Sequence, residues 1–419
     1  MPYDELLKRC IQCGYCLRSC PTYRELGAEM ASPRGRIALM RAVAGGELEI
    51  GPWFREQMLL CLDCRACESA CPSGVEYGRL VEGARALAAE RLGGRAFGSV
   101  VARVLDRSLS EPRNLLRLAA LLRFYQRSGA RWLARRSGAL RLCGKLGHLE
   151  QMLPLIPREP FTKLVPAYSL PEGEPRMRVG MLAGCVMNVA FADASVATHR
   201  LLLHCGCEVV VPEGQVCCGA LHAHLGDLET AKRMARRNLA AFDRAQVDAV
   251  VTNAAGCGSM LKEYGELLAD DPQWSARASE FSGRAKDALE LLAELGVPPE
   301  RMRPLPLRVA YDDPCHLRHA QGVSVEPRAL LSSIPGLELV ELREPEACCG
   351  SAGIYSLTHF EMSMRVLDRK MADIERSGAE VVATGNPGCM LQIAYGAHRR
   401  GMTGLRVAHP VELFAESCG

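Results

Sequence analysis

Apolar residues recur with two different periods along this chain, and the change of period divides it. Ile37, Met40 and Ala44, flanked by Leu39 and Val43, repeat at helical spacing behind Ser32, an N-cap residue, and Pro33, at a first helical position. The stretch "GPWFREQMLLCL", residues 51 to 62, predicts a second helix. Leu115, Leu118, Leu122 and Tyr125 share one helical stripe, with Arg117 and Arg123 off it. Residues 153 to 177 carry six prolines and read as an extended linker. Beyond them the pattern changes to short apolar runs, each followed by a helical stretch. "RVGML", "EVVV" and "DAVV" come first, and "LRVAY", "ELVEL" and "EVVAT" repeat the order. Strand–helix–strand–helix–strand, written twice, predicts two α/β units.

At 419 residues the chain exceeds one ordinary core, and two or three domains are expected. A 48% apolar and 24% charged composition is that of a soluble globular protein. The net charge of +3 gives no reason to expect nucleic acid. Charge is uneven locally: from Arg113 to Lys145 there are nine basic residues and no acidic one, interleaved with apolar positions. That segment reads equally as a scaffold pair of helices and as a basic amphipathic surface for a partner subunit or an anionic membrane face. The start, "MPYDELLKRCIQCGYC", lacks the apolar core of a secretory signal, and no run is apolar enough to span a bilayer. A cytoplasmic location is therefore expected. In a reducing compartment, twenty cysteines predict metal ligation rather than disulfides.

The cysteines are ordered. "CIQCGYCLRSCP" at 10 to 21 and "CLDCRACESACP" at 61 to 72 are two copies of Cys-x2-Cys-x2-Cys-x3-Cys-Pro, the ligand run of 4Fe–4S clusters. Three thiolates at this spacing wrap three corners of a cube, and the fourth faces the neighbouring cube. In two-cluster ferredoxins the fourth cysteine serves the other cluster. Cys10, Cys13, Cys16 and Cys71 are assigned to one cluster on that basis, and Cys61, Cys64, Cys67 and Cys20 to the other. Zinc sites use paired Cys-x2-Cys knuckles instead. The helical stretches between the runs predict an all-helical ferredoxin domain, similar to those of succinate dehydrogenase iron–sulfur subunits. Arg34 and Arg36 read as surface charges.

The second half repeats its cysteines as well as its strands. "VCCG" at 216 to 219 and "ACCG" at 347 to 350 match, and the pairs 185/315, 217/348 and 257/389 are offset by 130, 131 and 132 residues. Each position follows an expected strand, where α/β sheets place their ligands. Adjacent cysteines can serve one site at a turn, and the glycine permits a close approach there. Cys185, Cys217, Cys218 and Cys257, then Cys315, Cys348, Cys349 and Cys389, are candidate ligands of further centres. Cys143, Cys205, Cys207 and Cys418 read as incidental.

These motifs resemble those of heterodisulfide reductase subunits, where tandem copies bind non-cubane 4Fe–4S clusters. The whole plan, with "CPTYRELG", "SPRGRI", "CPSGVEY", "GCGSMLKEYGELL" and "CCGSAGIYSLTH", resembles the iron–sulfur subunit of bacterial glycolate oxidase. The anaerobic glycerol-3-phosphate dehydrogenase iron–sulfur subunit shares the plan, lactate is an alternative substrate, and a thiol/disulfide redox subunit like that of heterodisulfide reductase is the other reading. In the heterodisulfide pattern a Cys-x-x-Cys closes each repeat; here Met260 and Gln392 replace its second cysteine. His222 or His224, and Asp313, His316 or His319, are candidate extra donors to an iron–sulfur or zinc centre.

The resemblance implies a multidomain α/β protein. Its parts would be a helical ferredoxin domain at 1–95, a basic helical connector and Pro-rich linker at 96–176, and duplicated Rossmann-like CCG domains at 177–300 and 301–419. It implies an oxidoreductase subunit that carries electrons from FAD-binding partner subunits through two 4Fe–4S clusters toward quinone, peripheral to the inner face of the cell membrane. No Gly-x-Gly-x-x-Gly fingerprint follows a strand, so flavin is expected on the partners.

Overall fold

The computed structural model describes residues 4–93, 107–138, 145–297 and 302–418. Its first part is helical, with no strand among described residues 4–93. Ser32 caps the helix Pro33–Ala44 by accepting from the Gly35 N–H, so this helix starts where the sequence signals it. Helices Pro52–Leu59 and Tyr77–Leu92 pack beside it over Ile37, Met40, Phe54, Met58, Leu80 and Val81.

Helices Pro112–Arg127 and Ala130–Arg136 follow. Leu115, Leu116 and Leu122 of the first pack against Ile156 and Val189. Two basic residues here are structural: Arg131 and Arg135 both pair with the buried Glu150. Cys143 lies outside the described residues. The Pro-rich segment is more than a linker, because it forms a short helix, Phe161–Leu164, and a strand, β1 (Tyr168–Ser169).

β1 joins a sheet with β2 (Met177–Met181), β3 (Cys207–Val210), β4 (Ala249–Thr252) and β5 (Ala285–Asp287), in the order β1-β3-β2-β4-β5. β1 is antiparallel to β3, and the other pairings are parallel. The second sheet takes β6 (Arg308–Tyr311), β7 (Glu338–Val340), β8 (Val381–Ala383) and β9 (Arg406–Ala408), in the all-parallel order β7-β6-β8-β9. In both, the first strand of the repeat lies between the second and the third. The repeats share one apolar core: Met181, Val251 and Leu289 lie in the same cluster as Val309, Val381 and Phe414. Hydrogen bonds also cross between them, from the Ala255 N–H to the Gly385 carbonyl (3.0 Å) and between His409 Nε2 and the Asn253 carbonyl (2.9 Å).

Candidate iron–sulfur centres

The two ferredoxin runs wind alike. Gln12 (φ +58°) and Gly14 (+86°) in the first match Asp63 (+54°) and Arg65 (+58°) in the second. Left-handed backbone at a non-glycine residue costs about 1–2 kcal/mol, so matched outliers in two loops point to a shared purpose. This winding turns amides toward sulfur: the Asp63 N–H lies 3.3 Å from Cys61 Sγ. Cys10, Cys13, Cys16 and Cys71, with Cys67 of the second run, line one pocket walled by Ile11, Pro33, Ile37 and Val75. Cys67, whose thiol burial pushes well up, has Cys61 and Cys20 as electrostatic neighbours. Clustered thiols, apolar walls and inward amides suit a 4Fe–4S cubane, whose sulfurs take N–H hydrogen bonds.

One residue here corrects the sequence reading. Arg36 is fully buried rather than a surface charge, because it donates to the carbonyls of Gln57 (2.8 Å) and Ala31 (2.8 Å) and to Thr22 Oγ1 (3.2 Å). It is a fixed cation among Tyr77, Cys61 and Cys20. Arg34 does stay at the surface, paired with Glu29.

In the α/β half, each cysteine position follows the carboxyl end of a parallel strand. Cys185 follows β2, the Cys217–Cys218 pair follows β3, and Cys257 sits in the helix after β4. Their sulfurs converge, with Cys217 and Cys185 3.6 Å apart and Cys218 and Cys257 3.3 Å apart. In the second repeat Cys349 and Cys389 are 3.4 Å apart. Neighbouring thiols hold the first cysteine of each pair well below its usual pKa. For Cys217 these are Cys185 and Cys218; for Cys348 they are Cys315, Cys349 and Cys64. Each site thus concentrates thiols around one favoured thiolate, which suits a thiophilic metal centre.

The glycine has a steric reason. Gly219 (φ +92°) and Gly350 (φ +88°) are left-handed, and each presses on the long helix of its repeat. A Cβ on Gly350 would come within 2.6 Å of the Ser363 carbonyl oxygen, and one on Gly219 within 3.2 Å of Ala231 Cα. Those helices, Leu228–Ala245 and Phe360–Ser377, begin several residues beyond the glycines, so each glycine contacts the long helix without opening it.

The extra-donor candidates separate. His316 Nδ1 lies 3.5 Å from Cys315 Sγ, and His222 is buried with an electrostatic influence on Cys217. His224 instead binds Glu82 (2.6 Å), Asp313 pairs with Arg318 and Arg328, and His319 meets Ser69 (2.8 Å). Cys205 and Cys207 are core residues whose thiols burial pushes up to about 12 and about 11.

Three features escaped the sequence reading. Cys64, in the second ferredoxin run, packs in one buried cluster with Cys348 of the second cysteine-rich site. Lys370 is buried beside Cys349 and Cys389 and paired to Asp312 at 2.8 Å; the matching position in the first repeat is the neutral Asn238. Asn386 spans both repeats: its Nδ2 lies 3.5 Å from Cys389 Sγ, and its Oδ1 accepts from the Gly256 N–H (3.3 Å), next to Cys257.

A helical unit with two cubane-type cysteine runs, set against two cysteine-lined α/β repeats, defines an iron–sulfur electron-transfer protein. Comparisons agree. Residues 6–75 match the family model of a 4Fe-4S dicluster domain, and residues 179–262 and 309–394 each match a cysteine-rich domain. Residues 100–153 match the linker region of glycolate oxidase iron–sulfur subunits. The chain is 44% identical to the probable glycolate oxidase iron–sulfur subunit of Bacillus subtilis, covering 100% of this chain and 95% of that one. It is 33% identical to the Escherichia coli glycolate oxidase iron–sulfur subunit (93% and 90%). To a fumarate reductase (CoM/CoB) subunit of Methanothermobacter marburgensis it is 28% identical (97% and 71%). The chain belongs to the glycolate oxidase iron–sulfur subunit family.

Proposed function

We propose that this chain is the electron carrier of a glycolate-oxidising complex, accepting electrons from FAD-binding subunits and delivering them to quinone. Cys10, Cys13, Cys16 and Cys71 would hold one 4Fe–4S cubane, and Cys61, Cys64, Cys67 and Cys20 the other. Bound there, the cubanes supply one-electron steps between a two-electron flavin and a two-electron acceptor. Each site of the α/β half would hold a further centre, iron–sulfur or zinc, on Cys185, Cys217, Cys218 and Cys257, and on Cys315, Cys348, Cys349 and Cys389.

One observation carries this reading. Cys64 belongs to a ferredoxin run, yet it shares a buried cluster with Cys348 of the second cysteine-rich site. Two redox-capable sites in contact make a continuous route, and Asn386 extends it toward Cys257. Arg36 and Lys370 are buried cations at the two ends of that contact, and they offset thiolate charge in a low-dielectric interior. Among the described residues no helix is long and apolar enough to cross a membrane. As a peripheral assembly, the complex would meet quinone at the inner face of the membrane.

The test is Cys67→Ser in the assembled complex under anaerobic conditions. Glycolate should still bleach the flavin, while quinone reduction is lost. Quinone turnover at the parental rate would remove the second cubane from the route.

A further inference from the structure

A cavity of about 300 Å³ opens beside the first cysteine-rich site. Leu109, Leu116, Val165 and Val211 form its apolar walls, and Cys185 and Cys217 lie on its lining. Its volume is at the small end of ligand pockets, enough for one ring with substituents. Polar groups in it are few. Asn188, only 9% exposed, accepts through Oδ1 from the Thr162 N–H (3.1 Å) and from Thr162 Oγ1 (3.3 Å). Among the described residues its amide N–H2 has no partner, so the cavity offers a hydrogen-bond donor to a carbonyl oxygen. Glu213 is exposed at the rim.

The wall bearing Leu116 is the helix Pro112–Arg127, and its solvent-exposed flank is unusual. Leu121 and Phe124 are 64% and 69% exposed, with Arg117 and Arg127 exposed alongside them. On the adjoining helix Trp132 and Leu133 are each 62% exposed, and the Arg136 guanidinium lies 5.3 Å over the Trp132 ring. Arginines interleaved with large apolar side chains complement an anionic lipid surface, and an apolar acceptor dissolves in lipid.

We propose that this cavity is the quinone site: it takes the ring of an isoprenoid benzoquinone or naphthoquinone, with one ring carbonyl on Asn188 Nδ2 and the ring against the Cys185–Cys217 wall. The inference rests on the electron-carrier reading above and adds where the acceptor binds. The ring gains two electrons and two protons to become the quinol. The electrons come one at a time from the chain's reduced iron–sulfur centres, fed by oxidation of the 2-hydroxy acid. The protons come from water at the rim, where Glu213 stands.

The experiment uses the assembled complex, a one-isoprene benzoquinone as acceptor, and an azido derivative of that quinone as photolabel. In the parent complex the label should fall on peptides carrying Leu109 to Leu116 and Ala183 to Asn188. Unlabelled quinone should compete it away. Leu116→Trp, which fills the cavity, should lower the quinone-linked rate relative to the ferricyanide-linked rate about tenfold at subsaturating quinone. It should also lose the label in proportion, at parental iron content. Labelling of other peptides, or an unchanged rate ratio in a Leu116→Trp complex of parental iron content, overturns the site. Should Leu116→Trp fail to assemble, the label's position on the parent decides alone. If glycolate still reduces the iron–sulfur centres in that case, the carrier reading survives the loss of this one; if glycolate leaves them oxidised, the carrier reading itself fails.

Discussion

Gly350 shows how much one missing side chain matters. It needs both a left-handed backbone and an unobstructed approach to the Ser363 carbonyl, 2.6 Å from where a Cβ would stand. Gly27 is also left-handed (φ +64°), but nothing lies within 4 Å of its would-be Cβ. Gly27→Ala should therefore cost about 1 kcal/mol, the backbone penalty alone. Gly350→Ala should cost at least twice that, because the helix Phe360–Ser377 must move. Urea unfolding of the two variants measures both, and equal losses would mean that the helix yields freely. At this scale the sequence spoke clearly where spacing is local. Eight cysteines at ligand spacing, and the doubled Cys-Cys-Gly, needed no tertiary information. Arg36 was misread because its burial depends on acceptors at positions 22, 31 and 57, and no local pattern announces them. His224 is close in sequence to the Cys217–Cys218 pair, whereas a carboxylate distant in sequence, Glu82, claims its ring.

Elements were legible where the duplication repeats them. The expected strands of both repeats appear as β2 to β4 and β6 to β8, although β7 and β8 have only three residues each. The outer strands β1, β5 and β9 are as short and stand outside the repeated strand–helix–cysteine pattern that marked the others. The Pro-rich stretch concealed β1, which occupies the sheet edge, where proline-rich sequence is tolerated. The basic connector divides by partner. Arg131 and Arg135 hold Glu150 in place, so its outward charge rests on residues such as Arg117, Arg127 and Arg136.

Asp287 offers a test at the level of one element, since it caps the helix Ala288–Leu295 by accepting from the Leu289 N–H. Burial pushes its carboxyl up to about 7, from an ordinary value of 3.8. The native state therefore keeps a proton that the unfolded chain releases. Its contribution to stability is complete below pH 3.8 and is lost as the pH rises through about 7. The steepest slope should be about 1.4 kcal/mol per pH unit. Asp287→Asn retains an acceptor and removes the titration, so its urea midpoint should vary less between pH 4 and 7 than the parent's. Identical slopes would reject this carboxyl as the source.

The whole molecule brings together sites that are far apart in sequence. Tyr355 donates to the Leu60 carbonyl at 2.8 Å, tying the second repeat to the ferredoxin segment just before Cys61. On that seam Cys64 meets Cys348, and Asn386 links the second cysteine-rich site to the first. The duplication could be read from cysteine offsets, because copying preserves register. The meeting of Cys64 with Cys348 could not, since it depends on how two independently coded units dock. The central claim is that the chain carries two interacting cubanes fed by substrate oxidation. Low-temperature electron paramagnetic resonance of the anaerobic complex after glycolate addition tests it most directly. The account predicts the split signals of two reduced, magnetically coupled 4Fe–4S clusters, lost together with quinone reduction in Cys67→Ser. A glycolate-reduced complex that turns over quinone normally while showing no iron–sulfur signal from this chain would contradict it.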